Sequence, residues 1–192
     1  EAGRAFLAGF GSPRLEEFRR VFDDFRYGDV KNREPIITAM VNTHHDPSRA
    51  PAGKATLTLF GFAPFELREG GSASWDARKE EFSEWLLSGY RRYTTNMSDA
   101  NIIGQAFYTP LDVQRHSPSF QRGDVTGIAK YFHQIGGHRP TPQLSQYAVP
   151  GAQGLYLCGT FMHPPGGITG GGRATAIKIC ADLGIDFDKL HG

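Results

Sequence analysis

Residues 154–183, GLYLCGTFMHPPGGITGGGRATAIKICADL, constrain the fold more than any other stretch of this 192-residue chain. A short apolar run, Leu155-Tyr156-Leu157, stops at Cys158-Gly159. Five glycines then fall among residues 166–172, and an Ala- and Ile-rich helical segment follows. Each glycine costs roughly 0.5–1 kcal/mol of chain entropy relative to alanine. A cluster this dense therefore points to positive φ angles or to backbone pressed against a neighbour. Strand, glycine turn and helix together aim backbone N–H groups and a helix N-terminus at one point, a geometry suited to an anionic group. The alternative is a tight packing turn with no ligand. Ala174, Ala176, Ile177, Ile179, Cys180, Ala181 and Leu183 make the helix apolar almost all round, which predicts burial. Arg173 sits in its first turn, where the macrodipole disfavours a cation, so a negative partner is expected.

Composition excludes several classes. The chain is 39% hydrophobic and 12% aromatic, which excludes disorder. With 21 basic and 20 acidic residues the net charge is +1, so no electrostatic footprint for nucleic acid exists. No apolar run reaches transmembrane length, and no secretory leader is expected. Cys158 and Cys180 do not form a disulfide framework, so a reducing, cytoplasmic compartment is the expectation.

Upstream, Ser12 (N-cap), Pro13 (first helical position), Glu16 and Glu17 open a helix closed by Gly28. Leu15, Phe18, Val21, Phe22 and Phe25 recur along it at helical spacing. Residues 35–44 and 54–63 read as strands with apolar side chains on both faces. They are joined through DPSRAPAG as a long-loop hairpin, and burial on both sides is expected. A second helix runs from about Ser74 to Tyr93, with Phe82, Leu86, Gly89, Tyr90 and Tyr93 inward. Residues 100–109 read as a further strand, and LDVQRH after Pro110 as a short helix or turn. Residues 117–153 lack periodicity, the mark of a functional loop or of an unrecognised element. The expected fold class is α+β: a mainly antiparallel or mixed sheet with packed helices, plus a terminal strand–glycine turn–helix.

LYLCG followed by HPPGGITGGGRATA resembles the C-terminal signature of phytoene desaturase-like FAD-dependent oxidoreductases, within the amine-oxidase-like flavoprotein superfamily. DPSRAPAGKATLTLFGFAPFELREGGSASWD, TPLDVQR with the following RGD, and HRPTPQLSQYAVPGAQGLYLCG extend the resemblance over most of residues 12–184. HPPGG stands where relatives commonly carry HPGGG, Ala174-Thr175-Ala176 where they carry Asn-Ala-Ala, and His133-Gln134 where Asp-Gln is frequent. The resemblance implies a C-terminal part of a longer flavoprotein dehydrogenase acting on an apolar, isoprenoid-like substrate. Residues 1–153 would then belong to a substrate domain and 154–192 would close the FAD-binding domain. An N-terminal GxGxxG half, absent from this chain, would be its partner, and the chain alone would be inactive and free of FAD. Cofactor-binding positions implied in this way are Gly159, Thr160, Gly166, Gly167, Ile168, Thr169, Gly170 and Arg173. His163 is a candidate catalytic group facing flavin or substrate, or else a histidine that bonds backbone to fix the turn. A non-catalytic binding or assembly module is the alternative to an enzyme. No metal site is expected, because adjacent residues on a strand point to opposite faces, so His44 and His45 cannot share an ion. Cys158 is expected to be a small buried strand-end residue.

Overall fold

The structure is a computed structural model that describes residues 5–30, 33–164 and 170–190. Two compact units make it up, 1–111 and 112–192.

In the first unit, β1 (Ala8–Phe10), β2 (Ile37–Met40) and β3 (Thr58–Gly61) form an antiparallel sheet in that order. Ala39 pairs with Ala8 on one side and with Leu59 on the other. The helix α2 (Trp75–Arg91) packs on β2 and β3. Of its expected inner stripe, Phe82, Leu86, Gly89 and Tyr90 are buried as the spacing predicts, whereas Tyr93 lies beyond the helix end and is exposed. Ile37, Ala39, Leu67, Trp75 and Leu111 complete the core. Trp75 is fully buried and its indole N–H donates to the Phe65 carbonyl over 3.0 Å. Gly89 faces the sheet because a β-carbon there would stand 2.4 Å from Pro35 Cγ.

The helix α1 (Leu15–Arg26) begins two residues after the predicted first position. Ser12 does not cap it: its hydroxyl accepts from the Arg14 amide at 3.3 Å, forming a turn before the helix. Gly28 ends it at φ 75°, its amide bonded to the Phe25 carbonyl. Only Val21 of α1 is buried, while Phe18 and Leu15 are exposed.

Several expectations are corrected. The strands are shorter than their apolar runs. Beyond β2 the chain turns into a 3-10 turn, Asn42–His44, so His44 is not on a strand. The 46–53 connection is fixed by Asp46, whose carboxylate accepts from Ser48 and Arg49. Phe60 and Phe62 are about half exposed while Leu59 and Gly61 are half-buried, so β3 is covered on one face only. Residues 100–109 form no strand, since only the 3-10 turn Asp99–Asn101 is regular there. β1 is the strand that does form, and its three residues are too short for a period to be legible.

The second unit contains most of α3 (Pro110–His116), the run of 3-10 turns over the aperiodic region, and α4 (Gly171–Asp182). Among its described residues the buried side chains are Met162 and Cys180 with the polar Arg139, Ser145 and Thr175, and Gly171 is buried too. Residues 155–157 are not a sheet strand. They pair with 147–149 through the single bridge Ala148–Tyr156, flanked by bonds between Val149 and Leu155 and between Leu157 and Tyr147. The helix α4 is less buried than its composition predicts, with Ile177 and Leu183 exposed. No described helix is long and apolar enough to cross a membrane.

Candidate functional site

The second unit gathers Gly159, Thr160, His163, Pro164, Gly170 and Gly171 around the N-terminus of α4. A β-carbon on Gly171 would stand 3.8 Å from the Pro164 carbonyl oxygen and 4.0 Å from that of Gly159. The helix thus starts beside the end of the 155–159 segment, and a β-carbon at 171 would make only ordinary contacts there. Gly159 has φ 154°, a value L-residues rarely adopt, and a β-carbon there would meet the Phe161 ring at 2.8 Å. Gly172 faces open space. Gly166, Gly167, Ile168 and Thr169 lie outside the described residues.

The α4 N-terminus carries no side-chain cap: Gly170 occupies the capping position and no acid lies in the first turn. The first N–H groups of a helix have no partner within it, so this end presents donors and a partial positive charge. Arg173 adds to that charge. Among the described residues no carboxylate pairs with it, and its guanidinium instead lies 5.2 Å from the centre of the Phe187 ring. The negative partner expected from the sequence is thus not supplied by a described side chain. Donors, charge and missing side chains together suit an electron-rich planar edge or an anion.

His163 sits at the mouth of the turn. Its carbonyl accepts from the Tyr147 hydroxyl at 2.8 Å, and its Nδ1 is buried with no hydrogen-bond partner among the described residues. A cis peptide bond joins it to Pro164. The ring does not bond backbone through Nδ1, so the backbone role falls to its carbonyl.

Three residues were missed from sequence. Thr175, within the Ala-Thr-Ala departure, is buried, and its hydroxyl lies 3.0 Å from the Gly171 carbonyl and 3.2 Å from that of Leu157. It ties the first turn of α4 to the segment before Gly159. Tyr147, at φ 69°, clamps the His163 carbonyl. Arg139 is fully buried. Its guanidinium donates to the carbonyls of Thr126, Ile128, Ala129, Gln134, Thr160 and Met162 at 3.0–3.4 Å. A buried charge is tolerated only when hydrogen-bonded throughout. Burial still pulls its pKa below the ordinary arginine value, with Asp124 pushing the other way. The available signal was an arginine before proline inside a long aperiodic stretch.

Cys158 is exposed, not buried as expected, and Cys180 is buried. Among the described residues no group of three His, Cys, Asp or Glu side chains could hold a metal. In the first unit, Phe18, Phe22, Phe25, Phe60 and Phe62 form a chain of ring contacts at 5.4–5.9 Å, half open to solvent.

Comparison with known proteins gives consistent relatives. The chain is 30% identical to "Pyridine nucleotide-disulfide oxidoreductase domain-containing protein 2" of Rattus norvegicus, over 85% of this chain and 28% of that protein. It is 28% identical to a limonene dehydrogenase component of Castellaniella defragrans, over 95% of this chain and 33% of the relative. It is also 28% identical to "4,4'-diapolycopene oxygenase" of Methylomonas sp, over 88% and 32%. The chain thus spans about a third or less of the length of these relatives. No family model matches the chain, and no solved structure matches it significantly. The relatives are oxidoreductases by name, in keeping with the phytoene desaturase-like flavoprotein resemblance.

Proposed function

We propose that this chain, related to the phytoene desaturase-like FAD oxidoreductases, supplies the closing element of an FAD site and part of a substrate domain in a longer dehydrogenase. The observation that carries the reading is the side-chain-free, uncapped N-terminus of α4 set against Gly159 and Pro164. When bound, a flavin supplies the two-electron acceptor for oxidation of the substrate.

The chain's own residues do the rest. Gly159 and Thr160, with Gly170 and Arg173, lie where the cofactor would be held, and Gly166, Gly167, Ile168 and Thr169 belong to the same motif. The uncapped N–H groups of α4 and the Arg173 charge favour negative charge on whatever lies before them. They would thereby favour the reduced form of a flavin held there. Thr175 and Tyr147 hold the two ends of the turn. The His163 ring, its Nδ1 unpartnered among the described residues, is the candidate for exchanging a proton at the site. The half-open phenylalanine face of the first unit suits an apolar, isoprenoid-like substrate, since such a face stays unpaired with polar groups. The functional division places 1–153 with the substrate and 154–192 with the cofactor. A missing GxGxxG half is the partner that would hold the adenosine and pyrophosphate. The chain by itself is inactive and binds little FAD, and its setting is cytoplasmic.

The test is to sequence upstream of Glu1, express the full-length protein and record its flavin absorbance bands. A GxGxxG segment and a yellow protein are expected. A protein that stays colourless with added FAD overturns the enzyme reading. The departures at Pro165 and Ala174 favour a second reading, a binding or assembly module that keeps the fold without the chemistry. Gly171→Val discriminates: loss of FAD with the fold retained supports the enzyme, and no effect supports the module.

A further inference from the structure

Arg139 gathers three separate stretches of backbone around one guanidinium. Thr126, Ile128 and Ala129 come from the first, Gln134 from the second, and Thr160 and Met162 from the segment entering the glycine turn. Five N–H donors meet six carbonyl oxygens, so the fork is saturated. The fork is rigid and planar. It therefore fixes not only that these stretches are close but at what angle they meet. Residues 160 and 162 are the last described backbone acceptors before His163 and Pro164. Apolar packing cannot replace the fork here, because Met162 is the only fully buried apolar side chain among the described residues of this unit.

We propose that Arg139 is a positioning residue for the cofactor element: by orienting Thr160–Met162 it sets where the segment ending at Pro164 lies against the start of α4, and so sets flavin affinity and environment. This rests on the reading of 154–184 as part of an FAD site. Arg139 acts through backbone and touches neither cofactor nor substrate. An ammonium has three donors on a flexible stem and cannot reproduce the fork. Lysine at 139 keeps the charge and loses the angle.

The experiment uses the full-length protein and FAD as the probe. Wild type, Arg139→Lys and Arg139→Gln are compared for FAD Kd, for the vibronic shape of the flavin absorbance band and for thermal unfolding without FAD. Leu86→Ala serves as a control that destabilises the other compact unit. The expected result is an FAD Kd about 10–100-fold weaker in both Arg139 variants, the scale seen when outer-shell positioning groups are lost. An altered band shape should accompany it, with Leu86→Ala leaving both unchanged. Wild-type affinity and band shape in Arg139→Lys overturn the inference. So does a loss that merely follows thermal stability and appears equally in Leu86→Ala. Hydrogen exchange on wild type keeps the inference testable should both Arg139 variants fail to fold. Amides of 126–134 and 160–163 should open as one cooperative unit, and independent opening overturns the inference. A wild-type protein that takes no FAD overturns the functional reading and this inference together. FAD-replete wild type with an indifferent Arg139→Lys overturns this inference alone.

Discussion

The Tyr147 hydroxyl donates to the His163 carbonyl at 2.8 Å, bridging the 147–149 segment to the mouth of the glycine turn. The Leu157 amide returns to the Tyr147 carbonyl at 2.7 Å. One residue thereby holds both the approach to Gly159 and the exit toward Pro164. Tyr147→Phe keeps the ring and removes only the donor, and should cost about 1 kcal/mol. Thermal unfolding of the second unit measures it. Unchanged stability together with unchanged FAD affinity would show the clamp to be idle.

Gly159 sets a sharper limit. Its φ of 154° is strained for an L-residue, and a β-carbon there would stand 2.8 Å from the Phe161 ring, which would have to move. Gly159→Ala should destabilise by about 1–3 kcal/mol through backbone strain alone, since the Phe161 ring can swing away. The fraction of full-length protein purified with flavin should fall with it.

Gly28 is the equivalent point in the first unit. A β-carbon there would stand 2.4 Å from the Arg68 amide nitrogen and 2.7 Å from the Glu66 carbonyl, both backbone atoms with little freedom to yield. With φ at 75° the strain adds to the clash. Gly28→Ala should therefore cost more than the usual 1–3 kcal/mol of a strained residue, about 3 kcal/mol or above. The urea midpoint of the first unit reads it directly.

Trp75 is fully buried and hydrogen-bonded to Phe65. Trp75→Ala should lose about 3–5 kcal/mol. Trp75→Phe loses less volume but strands the Phe65 carbonyl, so a smaller cost is expected. Chemical denaturation that ranks phenylalanine below alanine would sink this account.

Acid should act at Asp182. Hydrogen bonds from Lys178 and then Tyr156 hold its carboxyl below the ordinary aspartate value of 3.8. A lowered native pKa gives stability that is present above the unfolded value and lost as pH falls from there through the native one. The site is exposed, so the effect is small. Tyr156→Phe should move the Asp182 titration upward, toward 3.8, in carbon-detected NMR. An unmoved titration would exclude the tyrosine as a contributor.

Much of the first unit was legible because its signals are local. Phe82, Leu86, Gly89 and Tyr90 follow the helical period, and Ile37 and Ala39 the strand period. The cap at Ser12 failed because a second serine-turn geometry competes with capping. The 100–109 segment failed because its apolar pattern found no described strand to pair with. In the candidate site, the glycine-dense stretch falls partly on Gly166 and Gly167, outside the described residues, while the close approach is seen at Gly159, ahead of it. Arg139, Tyr147 and Thr175 escaped because each bonds carbonyls 16–23 residues away or across a helix turn, and carbonyls leave no trace in side-chain spacing.

Among the described residues of the second unit the buried side chains are mostly polar, with Arg139 the largest of them and Met162 and Cys180 the apolar ones. Exposing polar surface lowers the heat capacity, while exposing apolar surface raises it. Calorimetry of the two units should therefore separate them. The first should show a normal curvature of stability with temperature. The second should show a shallow one, resisting cold while yielding early to denaturants that compete for carbonyl oxygens.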